Sequence, residues 1–149
     1  MVFFERLWPS PGVWTATVAF GAAFGLALAP INGTVAVAVS ALGVVTFITL
    51  LLFTTPSLVL TQSDFAAGRA QLPADLVSGV EVLDSEQMRQ ARGIGLDARA
   101  YLCTRPWLPL GAKVILNDPE DPTPYWLVSS RRPRQLAEAL LAAKAAANQ

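Results

Sequence analysis

Two long apolar runs dominate the first third of the chain. They cover residues 12–29 and 35–53, and no charged residue lies between Arg6 and Asp64. At 1.5 Å per residue each run would form a helix of roughly 27–29 Å, close to the hydrocarbon thickness of a bilayer, about 30 Å. Pro30 ends the first run, and the polar turn after it separates the two. The pattern therefore predicts a transmembrane helical hairpin within residues 1–55.

Two other structures can contain runs of this kind. Buried helices of a soluble bundle would be uncharged on one face only, whereas here no face carries a charge. A signal peptide is the second alternative, because Ala27, Leu28 and Ala29 have the small–x–small form of a cleavage site. Pro30 directly after that site disfavours cleavage, and the second run would still anchor the chain. The hairpin is therefore the interpretation that the pattern favours.

The basic residues nearest the spans predict their orientation. Arg6 precedes the first span, Arg69 follows the second, and the connection between the spans has no basic residue. Both termini are therefore expected to face the cytoplasm, in a plasma-membrane protein with two spans. Trp8 and Trp14 lie where aromatic anchors at the membrane interface are expected.

Small residues form one face of the first span. Gly21, Gly25 and Ala29 recur at four-residue spacing, which lets helix backbones approach closely in lipid. This face could pack on the second span or on a helix of a partner, and the sequence leaves both open. Neither span contains an ionisable residue, so we expect an anchor rather than a transport pathway.

The pattern changes at Pro56 to short strands and then a helix. Strands are predicted at residues 57–62, 65–72, 76–83, 100–104, 112–117 and 125–129, with a short helix capped by Ser85 and ended by Gly93. A last amphipathic helix is predicted at 133–147, because Pro133 suits a first helical position. Residues 56–149 are thus expected to fold on their own as a small antiparallel partial barrel closed by that helix, which makes the chain a membrane-anchored α+β protein.

The composition excludes most catalytic schemes. Eleven basic and eleven acidic residues give a net charge of zero, which speaks against a nucleic-acid partner. The chain has no histidine, so a Ser-His-Asp triad and a histidine-ligated metal are excluded. Its single cysteine, Cys103, is expected to be a buried and inert thiol. We therefore predict no enzymatic activity, no cofactor and no metal site.

Two charged clusters flank the last predicted strand, and their six residues are the candidate interaction residues. The clusters are Asp118, Glu120 and Asp121 before the strand, and Arg131, Arg132 and Arg134 after it. Positive charge at the start of a helix is disfavoured by the helix dipole, so the arginines need compensation. The acidic loop could supply it as an internal ion-pair network, or anionic lipid headgroups could. We favour the internal network, which requires the proline-rich loop to fold back.

Several motifs resemble those of one known family. They are residues 5–10 (ERLWPS), 69–73 (RAQLP), 101–102 with 105–107 (YL and RPW), and 118–133, whose PTPYWLVSSRRP stretch is the most specific. With the hairpin they resemble an alanine-rich actinobacterial family of membrane proteins of unknown function. The resemblance implies a two-span anchor joined to a cytoplasmic domain similar to bacterial pleckstrin-homology (PH) domains. It implies no established activity.

Two functions fit these expectations. The first is a non-catalytic membrane protein whose PH-like domain binds another membrane protein, as an accessory or assembly partner. The second is a membrane-proximal module that senses anionic lipid headgroups. PH domains that bind phosphoinositides resemble one another in having basic residues around their first hairpin, whereas this chain has Ser63 and Asp64 there. The first function is therefore favoured, and the oligomeric state is left open.

Overall fold

The computed structural model describes residues 2–119 and 121–147. Within these residues the chain is an α+β protein with four α-helices and two four-stranded sheets. It divides into two compact units. The first unit is Trp8–Thr55, and the second joins the N-terminal segment up to Leu7 with the chain from Pro56 onward.

The first unit is a pair of packed helices, α1 (Pro11–Leu26) and α2 (Gly33–Thr54). Ser10 caps α1 by accepting the Val13 N–H, and Asn32 caps α2. Helix α1 ends three residues before the predicted span does, in a turn. Among the described residues, α2 is the one helix both long and apolar enough to cross a membrane, whereas α1 has 16 residues.

The first sheet of the second unit contains a strand that the sequence analysis did not predict. Its strands run antiparallel in the order β1 (Phe3–Arg6), β2 (Ser57–Leu60), β3 (Asp64–Ala67) and β4 (Ala70–Pro73). The single strand predicted over 65–72 is two strands, because Gly68 adopts a φ of 66° and turns the chain. Strand β1 precedes the helix pair, so the second unit includes residues that the prediction grouped with the hairpin.

Strands β1 and β2 are neighbours although the whole first unit separates them in sequence. The Leu7 N–H donates to the Pro56 carbonyl at 3.1 Å. Pro56 has no N–H to return, and the Leu7 carbonyl instead accepts the Trp107 indole N–H at 3.3 Å. The chain therefore leaves the second unit after Leu7 and re-enters it beside the same point.

The second sheet has the order β5-β7-β8-β6. Its strands are β5 (Val77–Leu83), β6 (Tyr101–Cys103), β7 (Gly111–Leu116) and β8 (Tyr125–Ser129). Strand β6 runs parallel to β8, which differs from the purely antiparallel domain that was predicted. Strand β8 lies between β7 and β6, and those two strands run in opposite directions. Strand β8 is therefore antiparallel to β7 and parallel to β6.

Two helices complete the second unit, α3 (Ser85–Arg92) and α4 (Pro133–Ala147). Asp84, not Ser85, caps α3, because Asp84 and Gln87 form a reciprocal capping box. Helix α4 covers the predicted range 133–147, and Leu136 and Leu140 on it are fully buried. They belong to one hydrophobic core, together with residues of both sheets, among them Phe3, Leu58, Phe65, Val114 and Trp126.

Candidate functional site

The start of α4 receives a buried carboxylate from strand β1. Glu5 is only 5% exposed. Its Oε1 accepts the Arg131 N–H at 2.8 Å, and its Oε2 accepts the Ser130 hydroxyl. The Ser130 Oγ in turn accepts the Arg132 N–H at 3.0 Å. A negative charge therefore lies at the helix end where the backbone N–H groups favour it.

Two arginines of the predicted basic cluster contact the backbone of β1. Arg131 Nη1 donates to the Arg6 carbonyl at 3.4 Å, and Arg132 Nη2 donates to the Phe4 carbonyl at 3.1 Å. The Arg132 guanidinium also lies over the Phe3 ring, 5.3 Å from its centroid. Because β1 is the outer strand of its sheet, these guanidinium groups cover carbonyls on an otherwise open edge.

The structure describes two of the three residues of the predicted acidic cluster, Asp118 and Asp121. Asp121 accepts the Thr123 N–H at 2.9 Å, and hydrogen bonds from Thr123 lower the pKa of Asp121. Asp118 lies in the same loop, and Glu120 lies outside the described residues. The ion-pair network between this loop and the arginines therefore stays a prediction. Among the described residues, Glu5 accepts the Arg131 N–H.

An open cavity lies beside the same helix start, within the second unit. Its volume is about 670 Å³. Its lining combines apolar side chains with three basic residues, one acidic residue and two amides: Val82, Leu83, Leu110, Pro133, Arg131, Arg132, Arg134, Asp84, Gln87 and Gln135. Because three basic residues outnumber the one acidic residue, Asp84, this lining suits an anionic group that carries an apolar portion.

One protein family matches most of this chain. It is described as "Protein of unknown function (DUF3093)", and the match covers residues 2–140. The chain belongs to this family. No curated protein and no solved structure matches it. The match extends from before β1 into α4, so Glu5, Ser130 and the arginines lie within the DUF3093 region.

In this DUF3093 chain, two of the three predicted small-face residues lie between the helices of the first unit. Gly21 and Gly25 are buried, and a Cβ at Gly21 would lie 2.7 Å from the Val44 backbone. A Cβ at Gly25 would overlap the Ala36 carbonyl and the Ser40 side chain. Ala29 is exposed and lies in the turn after α1.

The two predicted interface tryptophans differ in exposure. Trp8 is 44% exposed and Trp14 is partly buried near the start of α1. Three phenylalanines of the same unit contact one another; Phe47 lies 5.1 Å from Phe20 and 5.9 Å from Phe24 between ring centroids. Phe20 and Phe24 are more than half exposed, so the aromatic surface of this unit extends beyond the predicted tryptophans.

Two polar residues inside the second unit, Cys103 and Arg92, have surroundings typical of structural residues. Cys103 is buried, and burial raises the pKa of its thiol, which disfavours the reactive thiolate. Arg92 Nη2 donates to the Leu108 carbonyl and to Ser129 Oγ, both at 2.8 Å, and burial lowers the pKa of Arg92. In the described part of the chain, no group of three cysteine or carboxylate side chains could hold a metal ion.

Sequence reasoning missed Glu5 and Ser130. Glu5 is the only acidic residue before Asp64, and it lies among Phe3, Phe4 and Leu7. An isolated carboxylate in an apolar, strand-like segment is a signal that it needs a buried partner. The partner could not be named from the sequence, because Ser130 is 125 residues away.

Proposed function

We propose that this chain is a non-catalytic integral membrane protein. Its helix pair anchors a cytoplasmic domain that binds another membrane protein as an accessory or assembly partner. The main support is that α2 directs apolar side chains outward. Only 6% of its most apolar 18-residue window is buried. Val37 and Phe53 are 71% and 86% exposed. A continuous apolar surface of this kind is costly in water and costs nothing in hydrocarbon.

The pairing of β1 with β2 supports two spans rather than one. A single crossing by α2 would place Gly33 and Pro56 on opposite sides of the bilayer. Leu7 lies beside Pro56 in the same sheet, so the segment 8–32 has to cross back. Helix α1 measures about 24 Å at 1.5 Å per residue, and the turn after it and Trp8 to Ser10 before it extend its reach. The same pairing also favours one side of the membrane for both termini.

Charge and architecture support the cytoplasmic, PH-like interpretation. Arg6 and Arg69 flank the helix pair, and the turn between the helices has no basic residue. Two four-stranded sheets closed by a terminal helix are compatible with a PH-like domain. The resemblance to alanine-rich actinobacterial membrane proteins supports the same proposal.

The outer face of β1 is the surface that we propose for the partner. Val2 and Phe4 are 51% and 50% exposed. They alternate with the buried Phe3 and Glu5, so they lie on the same outward face of an edge strand. Paired exposed apolar side chains of this kind are typical of protein interfaces.

Two measurements test the proposal in cells. The first is extraction of membranes with alkaline carbonate, which should leave the full chain in the membrane pellet. The second is cross-linking in intact membranes followed by mass spectrometry, for which Phe4→Ser should abolish the partner's cross-link. Ile94→Ser, at a fully exposed position in the loop after α3, is the matched control and should retain it. Release by carbonate contradicts the anchor, and a cross-link unaffected by Phe4→Ser contradicts the proposed surface.

A second candidate function is the sensing of anionic lipids. The cavity beside Arg131, Arg132 and Arg134 supports it, because it combines positive charge with the apolar Val82 and Leu110. Phosphatidylglycerol added to the detergent-purified chain should then raise Tm more than phosphatidylcholine does. Arg134→Glu should remove the difference, whereas Arg69→Glu, at another exposed arginine, should not. Equal Tm values with the two lipids would exclude this function.

A further inference from the structure

The contacts of β1 divide the second unit into a binding site and its ligand. We propose that the second unit from Pro56 onward, including α4, forms a receptor for an extended segment with the pattern apolar–x–acid–x–apolar. Strand β1 is its tethered ligand, and the receptor also binds this segment when it is not covalently attached. The proposal concerns contacts within the second unit, so it does not rest on the membrane location.

Three alternate positions of the segment are enclosed by the receptor. Phe3 is 7% exposed, Glu5 is 5% exposed and Leu7 is fully buried. The residues between them point outward, as the half-exposed Phe4 shows. Buried and exposed side chains alternate because successive side chains of a strand point to opposite faces of the sheet. The receptor therefore distinguishes segments by the side chains at positions 3, 5 and 7.

The middle position is selective for a carboxylate. Both Glu5 oxygens accept hydrogen bonds, from the Arg131 N–H and from the Ser130 hydroxyl. The Ser130 Oγ already accepts the Arg132 N–H, so its proton is directed at Glu5. A glutamine has the same shape but only one acceptor oxygen, and its NH₂ group would face a donor. A buried donor left without an acceptor is what makes a site of this kind discriminate.

The backbone of the segment is held independently of its side chains. Strand β2 pairs with it in antiparallel register, and three side chains donate to its carbonyls. These donors are Trp107 to Leu7, Arg131 to Arg6, and Arg132 to Phe4. Addition of a strand to a sheet edge is a recurring mode of peptide recognition, in which main-chain bonds supply affinity and side-chain pockets supply specificity.

Residues 8–55 are the covalent link between β1 and the receptor, and they contribute none of the contacts named above. Every group named above that binds β1 lies between Pro56 and Arg132, whereas residues 8–55 form the separate first unit. The link acts by holding β1 near its site at a high effective concentration. Cutting it after folding leaves the binding groups in place.

The experiment cuts the link in the folded, full-length chain. A protease recognition sequence is inserted between Trp8 and Pro9, and the detergent-purified protein is cleaved. The N-terminal fragment should co-elute with the remaining chain in gel filtration. A fluorescent peptide of residues 2–8 should replace it with saturable binding. The Glu5→Gln peptide should bind at least tenfold more weakly, whereas the Phe4→Ala peptide, altered at an outward position, should bind within threefold of the native one.

A second variant removes any dependence on the inserted sequence. The full chain lacking residues 2–7 should gain several degrees in Tm with the native peptide and markedly less with the Glu5→Gln peptide. Loss of the fragment on cleavage without binding of the labelled peptide would overturn the proposal. Equal affinity of the native and Glu5→Gln peptides would overturn the carboxylate selectivity on which it depends.

Discussion

Glu5 joins the N-terminal strand to the terminal helix. Its buried carboxylate accepts two hydrogen bonds, so Glu5→Gln, which keeps one acceptor oxygen, leaves either the Ser130 hydroxyl or the Arg131 N–H without its acceptor. We expect Glu5→Gln to lower the free energy of unfolding of the full chain by about 1–3 kcal/mol, measured by chemical unfolding in detergent. Glu138→Gln, at an exposed position of α4, should change it by less than about 0.5 kcal/mol.

A double-mutant cycle separates the Glu5–Ser130 contact from general effects of substitution. Ser130→Ala removes one donor to Glu5, so the two single substitutions share part of their cost. The coupling energy of Glu5→Gln with Ser130→Ala should be at least about 0.5 kcal/mol. Additive effects would show that the two side chains stabilise the fold independently.

Cys103 should be unreactive in the folded chain. It is 4% exposed, and burial raises the pKa of its thiol, so both access and thiolate formation are restricted. We expect labelling by a maleimide at pH 7 to be at least a hundredfold slower in the native protein than after denaturation. Because Cys103 is the only cysteine, the reaction reports on this position alone. Equal rates before and after denaturation would contradict its burial.

The helix pair of the first unit depends on two glycines that admit close backbone contact. A methyl group at Gly25 would overlap α2, so Gly25→Ala should force the helices apart. We expect a loss of about 1–3 kcal/mol in the stability of the pair, measured by unfolding in SDS with circular dichroism and tryptophan fluorescence. Gly33→Ala is the matched control, because a Cβ there meets open space. A similar effect at Gly33 would argue against close packing as the cause.

Helix α4 offers two adjacent leucines with opposite environments. Leu140 is fully buried and Leu141 is 46% exposed. Leu140→Asp should destabilise the second unit by several kcal/mol, because it places an unpaired carboxylate in the core. Leu141→Asp should leave Tm nearly unchanged. The comparison by thermal unfolding holds composition and net charge constant, so similar losses would contradict the assigned face.

Elements with local signals could be predicted, whereas elements defined by distant partners could not. Helix α4 has Pro133 at its start and an apolar period, and strand β8 lies between a proline-rich loop and two arginines. Strand β1 has four residues and a partner that begins at Ser57, so nothing near it identifies a strand. The split of residues 65–72 depends on the conformation of Gly68, which a propensity cannot give.

Only part of the candidate site could be predicted from the sequence, because some of its residues are brought together by contacts between distant segments. The arginines attract attention because they crowd a helix start, and Arg131 and Arg132 do lie at the contact with β1. Their compensating charge was sought in the nearest acidic loop, since sequence proximity was the only guide. The structure adds a carboxylate that was not considered, Glu5 from the far end of the chain, at the Arg131 N–H; the pairing with the acidic loop stays a prediction. Local sequence patterns could not predict the pairing of β1 with β2, because the whole first unit separates the two strands in sequence.

The arrangement of the whole chain changes the expectation that residues 56–149 fold alone. That segment lacks Phe3 and Leu7, which belong to the core of the second unit, and it exposes the edge of β2. The isolated segment is therefore expected to be less stable and more prone to aggregation than the second unit with its own β1.

The topology of the whole chain gives the last prediction. On the proposal that the helix pair crosses the membrane twice, we expect Val2 and the described residues of the second unit on one side, because β1 pairs with β2. On the same proposal, Ile31, in the turn between α1 and α2, is expected on the other side. Single cysteines at positions 2, 31 and 94, in a Cys103→Ala chain, test this with a membrane-impermeant maleimide on intact cells. Position 31 should be labelled, and positions 2 and 94 should react only after lysis, because the basic residues predict a cytoplasmic second unit. Labelling of positions 2 and 94 but not 31 would reverse the orientation and keep the two crossings. Positions 2 and 94 on opposite sides would contradict the assignment of both positions to one compact unit, to which β1 belongs through its pairing with β2.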